Sequence, residues 1–164
     1  MSNLPVAFSA THHVRDACLC LHTQRAARSL ARHFDAAFKP LGLTSGQFSL
    51  IMSLNRPAPA SIGGVASLLA MDRTTLTAAL KPLERRGLVS VLRDEQDGRG
   101  RRLELTADGQ ALLAAALPIW QRAHAEAAAL LVAQDAERLR ASLRALERLS
   151  TTQPSDKKSP RNRL

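Results

Sequence analysis

The chain has 164 residues, a net charge of +9, an apolar fraction of 45% and an aromatic fraction of only 3%. This length suits one ordinary domain, and a core built mainly from Leu, Ala and Val favours helices over a sheet sandwich. No apolar run is long enough to cross a membrane and the N-terminus lacks a signal-peptide pattern, so we expect a cytoplasmic protein. Residues 151–164 contribute only +3 of the charge, so the rest of the chain is also basic and a polyanionic partner is expected.

The first forty residues predict an arm followed by one long helix. Residues 1–11 show no clear periodicity and are expected to form a flexible arm. Over residues 12–40, apolar and basic side chains fall on opposite sides of a helical wheel, which predicts a single amphipathic helix. On that wheel Cys20 shares the apolar arc with Phe34 and Phe38, whereas Cys18 lies about 160° away on the basic side.

The next part of the chain predicts three short helices with recognisable end signals. Thr44 and Gln47 have the spacing of a capping box, in which each side chain binds a backbone amide at the start of a helix. Ser61 can cap a second helix and Asp72 can cap a third. Gly87 then supplies a residue type that commonly ends helices.

The remainder predicts a hairpin and two further helices. Residues 88–93 and 101–106 have the composition of short strands, and the polar loop between them contains two glycines. Apolar patterns over residues 107–133 and 136–149 predict helices, and residues 150–164 are expected to form a disordered basic tail. The predicted fold class is therefore mainly α with a small β-hairpin.

Two helices joined by a tight turn and followed by a basic hairpin are the order found in winged DNA-binding domains. Small polar side chains on the second of these helices can approach base edges, and hairpin arginines can reach the minor groove or the phosphates. On an isolated helix such a face would be ordinary solvated surface, but here cap, turn, helix, stop and hairpin follow in order. We therefore predict binding to double-stranded DNA through Ser61, Arg73, Thr74, Thr75, Thr77, Lys81, Arg85, Arg99, Arg101 and Arg102.

Residues 41–109 resemble the winged-helix core of the MarR family of bacterial transcriptional regulators. The matching stretches are "LGLTSGQFSLIMSL", "ASLLAMDRTTLTAALKPLERRGLV" and "RDEQDGRGRRLELTADG". With the flanking helices, the resemblance covers about residues 12–149. It implies a homodimer whose interface is formed by the helix at 12–40 and the helices at 110–149.

The same resemblance implies a function and a pairing within the wing. Members of the family bind inverted-repeat operators, and most are repressors released by a small ligand or by cysteine oxidation. The resemblance implies that Asp72 pairs with the wing residue Arg99 and so supports the wing. It also adds Asp97, in the "D-x-R" pattern at the wing tip, to the DNA-binding set.

Cys18 and Cys20 are the only cysteines of the chain. Residues two apart on a helix do not face each other, so a disulfide between them would need local unwinding. Cys20 stands where the organic-peroxide-sensing branch of the family carries its reactive cysteine, but the chain has no tyrosine, and that branch holds its thiolate with tyrosine hydroxyls. Three interpretations stay open: redox sensing at Cys20 or Cys18, structural cysteines, and metal binding with nearby histidines, for which one subunit does not easily close a site.

A small aromatic or phenolic ligand is the other common trigger that the resemblance implies. The candidate lining residues are Phe34, Phe38, Phe48, Met52 and Trp120, although core packing explains any one of them as well. We find no cluster of nucleophile, base and orienting group and no phosphate-binding loop, so neither an enzyme nor a cofactor is predicted. A protein-interaction module would account for the long helices but not for the basic wing.

Overall fold

The computed structural model describes residues 6–94, 100–132 and 135–150. The chain forms two compact units, Met1–His124 and Ala125–Leu164. The helices are α1 Phe8–Ala17, α2 Leu19–Phe38, α3 Ser45–Ser53, α4 Ile62–Leu68, α5 Arg73–Arg85, α6 Ala107–Ala128 and α7 Asp135–Glu147, with short 3-10 turns at Lys39–Leu41 and Arg148–Ser150. The strands are β1 Ala60–Ser61, β2 Val89–Arg93 and β3 Arg101–Leu105. The predicted class, mainly α with a β-hairpin, is confirmed.

The core of the first unit lies where α2, α3, α4, α5 and β3 meet. Its largest fully buried side chains come from those five elements: Phe38, Leu50, Ile51, Val65, Leu76, Leu83 and Leu103. The aliphatic character of this core follows from the composition, and its apolar residues lie on the inner face of each helix. The core therefore holds α5 by one face and leaves the opposite face to solvent.

Three helices begin at the residues whose side chains were predicted to cap them. Thr44 and Gln47 form both halves of the capping box at the start of α3. The Ser61 hydroxyl accepts a hydrogen bond from the backbone amide of Gly64 at the start of α4. The Asp72 carboxylate accepts one from the amide of Thr75 at the start of α5. These caps satisfy amides that have no partner within the helix.

The prediction of one helix over residues 12–40 is wrong. The helix is interrupted at Cys18, whose backbone is extended (φ −74°, ψ 107°), so that α1 and α2 are separate helices. The first helix begins at Phe8, so residues 8–11 belong to α1 and not to the predicted arm over residues 1–11. Cys18 Sγ accepts a hydrogen bond from the amide of Leu21 at 3.5 Å and thereby caps α2. A thiol is not among the usual capping groups, which is why the sequence pattern did not reveal this boundary.

The sheet has three antiparallel strands in the order β1-β3-β2. β1 was not predicted, because it is only two residues long and pairs Ala60 with the distant Leu103. The hairpin between β2 and β3 was predicted, and in it Leu92 pairs with Arg102 and Arg93 pairs with Arg101. The sheet thus ties the loop before α4 to the base of the hairpin.

Left-handed backbone occurs at three described residues, and each lies just beyond a helical segment: Gly42 (φ 60°), Ala70 (φ 51°) and Gly87 (φ 69°). At the end of α4, the amide of Met71 donates to the carbonyl of Ala66 at 2.9 Å, which is the long hydrogen bond of a Schellman motif. Glycine normally occupies the left-handed position of this motif. Ala70 occupies it here, in the turn between α4 and α5.

The C-terminal helices are both shorter than predicted. α6 ends at Ala128 rather than at residue 133, and α7 ends at Glu147 before the last 3-10 turn. The predicted basic tail over residues 150–164 lies outside the described residues, except for the backbone of Ser150. Over the described ranges, none of the helices combines the length and the apolar character needed to span a membrane.

Candidate nucleic-acid interface

The start of α5 is fixed by a double hydrogen bond between Asp72 and Thr75. One carboxylate oxygen accepts from the Thr75 amide at 2.8 Å and the other from the Thr75 hydroxyl at 2.6 Å. These bonds, the hydroxyl first, hold the pKa of Asp72 below its ordinary value. Thr75 was predicted to contact DNA, but its hydroxyl proton is directed at Asp72. Its role in the structure is to complete the cap.

The exposed face of α5 carries most of the other residues predicted for this helix. Thr74, Thr77, Lys81 and Arg85 are all exposed, whereas Leu76, Leu80 and Leu83 on the opposite face are buried. The Thr77 hydroxyl donates to the carbonyl of Arg73 at 2.7 Å, which leaves its oxygen able to accept from outside. The result is a narrow polar ridge with cations toward its C-terminal end, a shape that a DNA major groove can admit.

A concavity of about 480 Å³ lies beside this ridge. Its lining residues are Ser61, Ile62, Gly63, Arg73, Thr77, Asp94, Gly100 and Arg101. The guanidinium of Arg73 lies against Gly63 so closely that a Cβ at that position would be 3.2 Å from Nη2. Gly63 was not singled out in the sequence, because only the fold brings it under Arg73. Two exposed arginines on one concave surface are well suited to a phosphate group.

Neighbouring arginines of the hairpin have different surroundings. Successive residues of a strand point to opposite faces, and only Arg101 lines the concavity. Arg102 Nε is 2.7 Å from a carboxylate oxygen of Asp94, whose side chain is only 13% exposed. Arg102 was predicted to contact DNA, whereas the structure shows it engaged within the hairpin. Asp94 lies two residues beyond Leu92, the partner of Arg102, so the register would have revealed this diagonal pair.

Asp97 and Arg99, which were predicted to contact DNA, lie outside the described residues. The implied pairing of Asp72 with Arg99 lies outside them for the same reason. The described part of the candidate interface therefore consists of Ser61, the exposed face of α5, the Arg73–Arg101 concavity and the base of the wing.

Both cysteines are free thiols at the start of α2. Cys20 is exposed within the single chain, and it lies on the same side of the continuous helix α2 as Phe34 and Phe38, as the helical wheel predicted. Phe34 follows Cys20 by fourteen residues, which is about 21 Å along a helix. Gln24 Nε2 instead donates to Cys20 Sγ at 3.1 Å. Within the described ranges, three or more His, Cys, Asp or Glu side chains do not come together in a way that could hold a metal ion.

Three of the five predicted ligand-lining residues share an open apolar groove of about 520 Å³. Phe48, Met52 and Trp120 line it together with Ser49, Ser53, Leu68, Leu69 and Leu117. Phe38 does not line the groove, because its side chain is completely buried in the core. Its ring stacks on that of Phe48, with the ring centroids 4.7 Å apart. Phe34 is half-buried and stacks on Phe38 at 6.2 Å, away from the groove lining.

Comparison with known proteins gives a consistent picture. The model of the MarR family matches residues 43–100. The solved structure of the Mycobacterium tuberculosis transcriptional regulator MosR in complex with DNA is 36% identical, with a TM-score of 0.75. The alignment covers 82% of this chain and 96% of that one.

Two curated proteins are similar over shorter stretches. The transcriptional activatory protein BadR of Rhodopseudomonas palustris is 38% identical over 72 residues, which are 42% of this chain and 41% of BadR. The organic hydroperoxide resistance transcriptional regulator of Bacillus subtilis is 28% identical over 101 residues, or 62% of this chain and 69% of that protein. The chain thus spans about two fifths of one curated relative and about two thirds of the other. These relatives are named as transcriptional regulators and not as enzymes.

Proposed function

The chain belongs to the MarR family of transcriptional regulators, and on that premise we propose that it binds an inverted-repeat operator in double-stranded DNA as a homodimer. The observation that carries the proposal is the polar ridge of α5 beside a concavity that presents Arg73 and Arg101. MosR, which has the same fold, was solved in complex with DNA. Each half of the operator would receive one α5 helix in its major groove.

The ridge and the concavity would contact different parts of the DNA. Thr74 and Thr77 present methyl and hydroxyl groups that can contact base edges, while Lys81 and Arg85 reach the flanking phosphates. Ser61, Arg73 and Arg101 would hold one phosphate in the concavity beside α5, and the wing-tip residues Asp97 and Arg99 stay predictions of the sequence. We assign Arg102 a supporting role through Asp94 and not a direct contact.

The terminal helices supply the argument for a dimer. No residue of α1 or α7, both of which are fully described, is buried within the single chain. On α7, Leu139, Leu143 and Leu146 follow at intervals of four and three residues and therefore form one apolar face, on which Leu139 is 45% exposed. A second copy of the chain is the partner that we propose for these apolar faces, as the family resemblance implies.

Paired arginine variants test the DNA-binding proposal. An operator would be selected from random duplexes, and affinity would be measured by fluorescence anisotropy at several salt concentrations. Replacing a phosphate-contacting arginine lowers the slope of log affinity against log salt by about 1. We expect this flattening for Arg101→Gln, whereas Arg102→Gln weakens binding and leaves the slope unchanged. Equal slopes for both variants would contradict the division of roles, and a wild type without sequence-selective binding would overturn the proposal.

We infer that the protein is a repressor and that oxidation of Cys20 is the signal that releases it from DNA. The thiol is exposed, and Gln24, itself bound by Arg28 Nη2 at 3.0 Å, donates to its sulfur. The B. subtilis relative is named for organic hydroperoxide resistance. Binding of wild type, Cys18→Ser and Cys20→Ser to the operator, each reduced and then treated with an organic hydroperoxide, tests this inference. Release of wild type and Cys18→Ser but not of Cys20→Ser is expected.

The apolar groove favours a second candidate signal. Phe48, Met52 and Trp120 give it aromatic and flexible walls, which suit a small aromatic or phenolic compound. If both serine variants release DNA as the wild type does, or if none of the proteins responds to oxidant, the cysteines are structural and this signal replaces oxidation. Met52→Trp, which fills the groove, should then abolish the response to such a compound while operator affinity is retained.

A further inference from the structure

Arg86 lies immediately after α5 and contacts a segment that is 44 residues away in the sequence. Its Nη1 donates to the carbonyl of Gly42 at 2.7 Å, and its Nη2 donates to the carbonyl of Leu41 at 3.2 Å. These carbonyls end the 3-10 turn that continues α2. One guanidinium therefore joins the C-terminal end of the DNA-facing helix to the C-terminal end of α2.

The contact has a clear physical reason. The last carbonyls of a helix have no partner within it and carry partial negative charge. A planar guanidinium can donate to two of them at once, which a lysine cannot reproduce in the same geometry. Gly42 and Gly87 end the two helical segments in left-handed conformations. The backbone therefore turns away from both helix ends at the point where Arg86 bridges them.

Arg86 does not belong to the DNA-facing ridge. At 100° per residue, Arg85 lies about 40° from Lys81 and about 20° from Thr74 around the helix axis. Arg86 lies about 140° from Lys81 and about 120° from Thr74. The two neighbouring arginines of "ERRG" are both exposed, but only Arg85 points with the ridge. Substitutions of these two residues form a matched pair: a change at Arg85 tests a contact with DNA, and a change at Arg86 tests the position of α5.

We propose that Arg86 is a positioning residue for DNA recognition and the connection through which a displacement of α2 reaches α5. This rests on the proposed DNA binding. α2 carries Cys20 near its N-terminal end, and the turn that continues its C-terminal end is bound by Arg86. A displacement of α2 that begins near Cys20 would therefore move the carbonyls that Arg86 binds. The buried core contacts of α3 with α2 and α5 do not involve Arg86, so we expect the fold to survive its replacement.

Operator affinity at several salt concentrations tests the proposal in wild type, Arg86→Gln, Arg86→Lys and Arg85→Gln. Arg86→Gln loses the bidentate contact, and we expect affinity to fall roughly three- to tenfold at every salt concentration with the slope unchanged. Arg86→Lys recovers part of the loss, because it keeps the charge and one hydrogen bond. Arg85→Gln flattens the slope by about 1. Wild-type affinity for Arg86→Gln, or a flattened slope like that of Arg85→Gln, would overturn the proposal.

Hydrogen exchange in the free protein gives a readout that does not depend on DNA. We expect the amides of Gly42, Leu43 and Leu88 to exchange several-fold faster in Arg86→Gln than in wild type or Arg85→Gln. Unchanged exchange at Gly42 and Leu43 would overturn the bridge between the two helix ends. If the wild type fails to bind DNA selectively, the proposed function is wrong. The exchange comparison would still show whether Arg86 joins α2 to α5.

Discussion

The winged-helix core and the two terminal helices differ in where their apolar side chains lie. In the core, Phe38, Leu76, Leu83 and Leu103 are completely buried. In α1 and α7, which are equally regular helices, no side chain is buried within the chain. Burial of apolar surface is the main favourable term in folding, so the core is stabilised by its own sequence. The terminal helices bury no side chain within the single chain and therefore gain little from this term.

Polar contacts on the terminal helices do not compensate for this lack of burial. In α7, Glu137 pairs with Arg140 at 2.6 Å and with Arg144 at 3.3 Å. Hydrogen bonds from Arg140 and then Arg144 hold the pKa of Glu137 below its ordinary value. These groups are exposed, however, and exposed ion pairs contribute little to stability. The difference between the two regions can therefore be tested by substitutions of the same type in each.

The largest expected effect is that of a matched pair of leucine truncations. Leu76→Ala leaves a cavity in the core and should lower the free energy of unfolding by about 2–5 kcal/mol. Leu139→Ala removes a side chain that is 45% exposed and should cost less than about 1 kcal/mol where the chain is monomeric. Denaturant unfolding at low protein concentration measures both. Equal costs would abolish the distinction between the regions.

Protein concentration sharpens the same comparison. If a second copy covers α7, the wild-type midpoint rises with concentration, and it rises less in Leu139→Ala. The midpoint of Leu76→Ala should rise as much as that of the wild type, from a lower starting value. A wild-type midpoint that does not depend on concentration would argue against the proposed dimer.

A smaller effect is expected from two glycine substitutions in helices. A Cβ at Gly109 in α6 would clash with the carbonyl oxygen of Leu88, so the backbone must shift. We expect Gly109→Ala to destabilise the protein by about 1–3 kcal/mol. A Cβ at Gly46 in α3 would meet nothing closer than 4.0 Å, so Gly46→Ala should be neutral or stabilising. Thermal unfolding compares them, and two similar losses would show that crowding at Leu88 is not the cause.

The smallest effect concerns the left-handed turns of the core. Ala70 adopts φ 51°, a conformation that costs a residue with a Cβ about 1–2 kcal/mol. Ala70→Gly should therefore raise stability by up to about 1 kcal/mol, after the entropy of the added glycine is subtracted. Gly87→Ala is the reciprocal change at φ 69° and should lower stability by about 1 kcal/mol. Destabilisation by Ala70→Gly in chemical denaturation would contradict the strain that we assign to this turn.

The parts of the fold that were predicted depend on contacts within a few residues. The caps at Thr44, Ser61 and Asp72 each bind an amide three residues later, so residue type and spacing were sufficient to predict them. The exposed ridge of α5 followed from helical periodicity in the same way. Local signals therefore located the helix–turn–helix and the exposed polar face of α5.

The parts that were missed depend on long-range contacts or on an unusual residue. β1 is defined by pairing with β3, and the Arg73–Gly63 and Arg86–Gly42 contacts exist only because the fold brings separate segments together. The helix break at Cys18 was missed because a helical wheel assumes that the helix is continuous. The ion pair between Arg102 and Asp94 was missed in the same way, because charge alone does not show which partner an arginine has in the fold.

The aromatic stack behind the apolar groove has an optical consequence. Trp120 is the single tryptophan of the chain, and it lies between Phe48, with a centroid distance of 6.4 Å, and His124, at 4.8 Å. It also lines the groove, so a molecule that fills the groove contacts the indole. Tryptophan fluorescence of the unmodified protein consequently reports on the apolar groove. Binding of a compound to the groove can therefore be followed by titration without a label and without DNA.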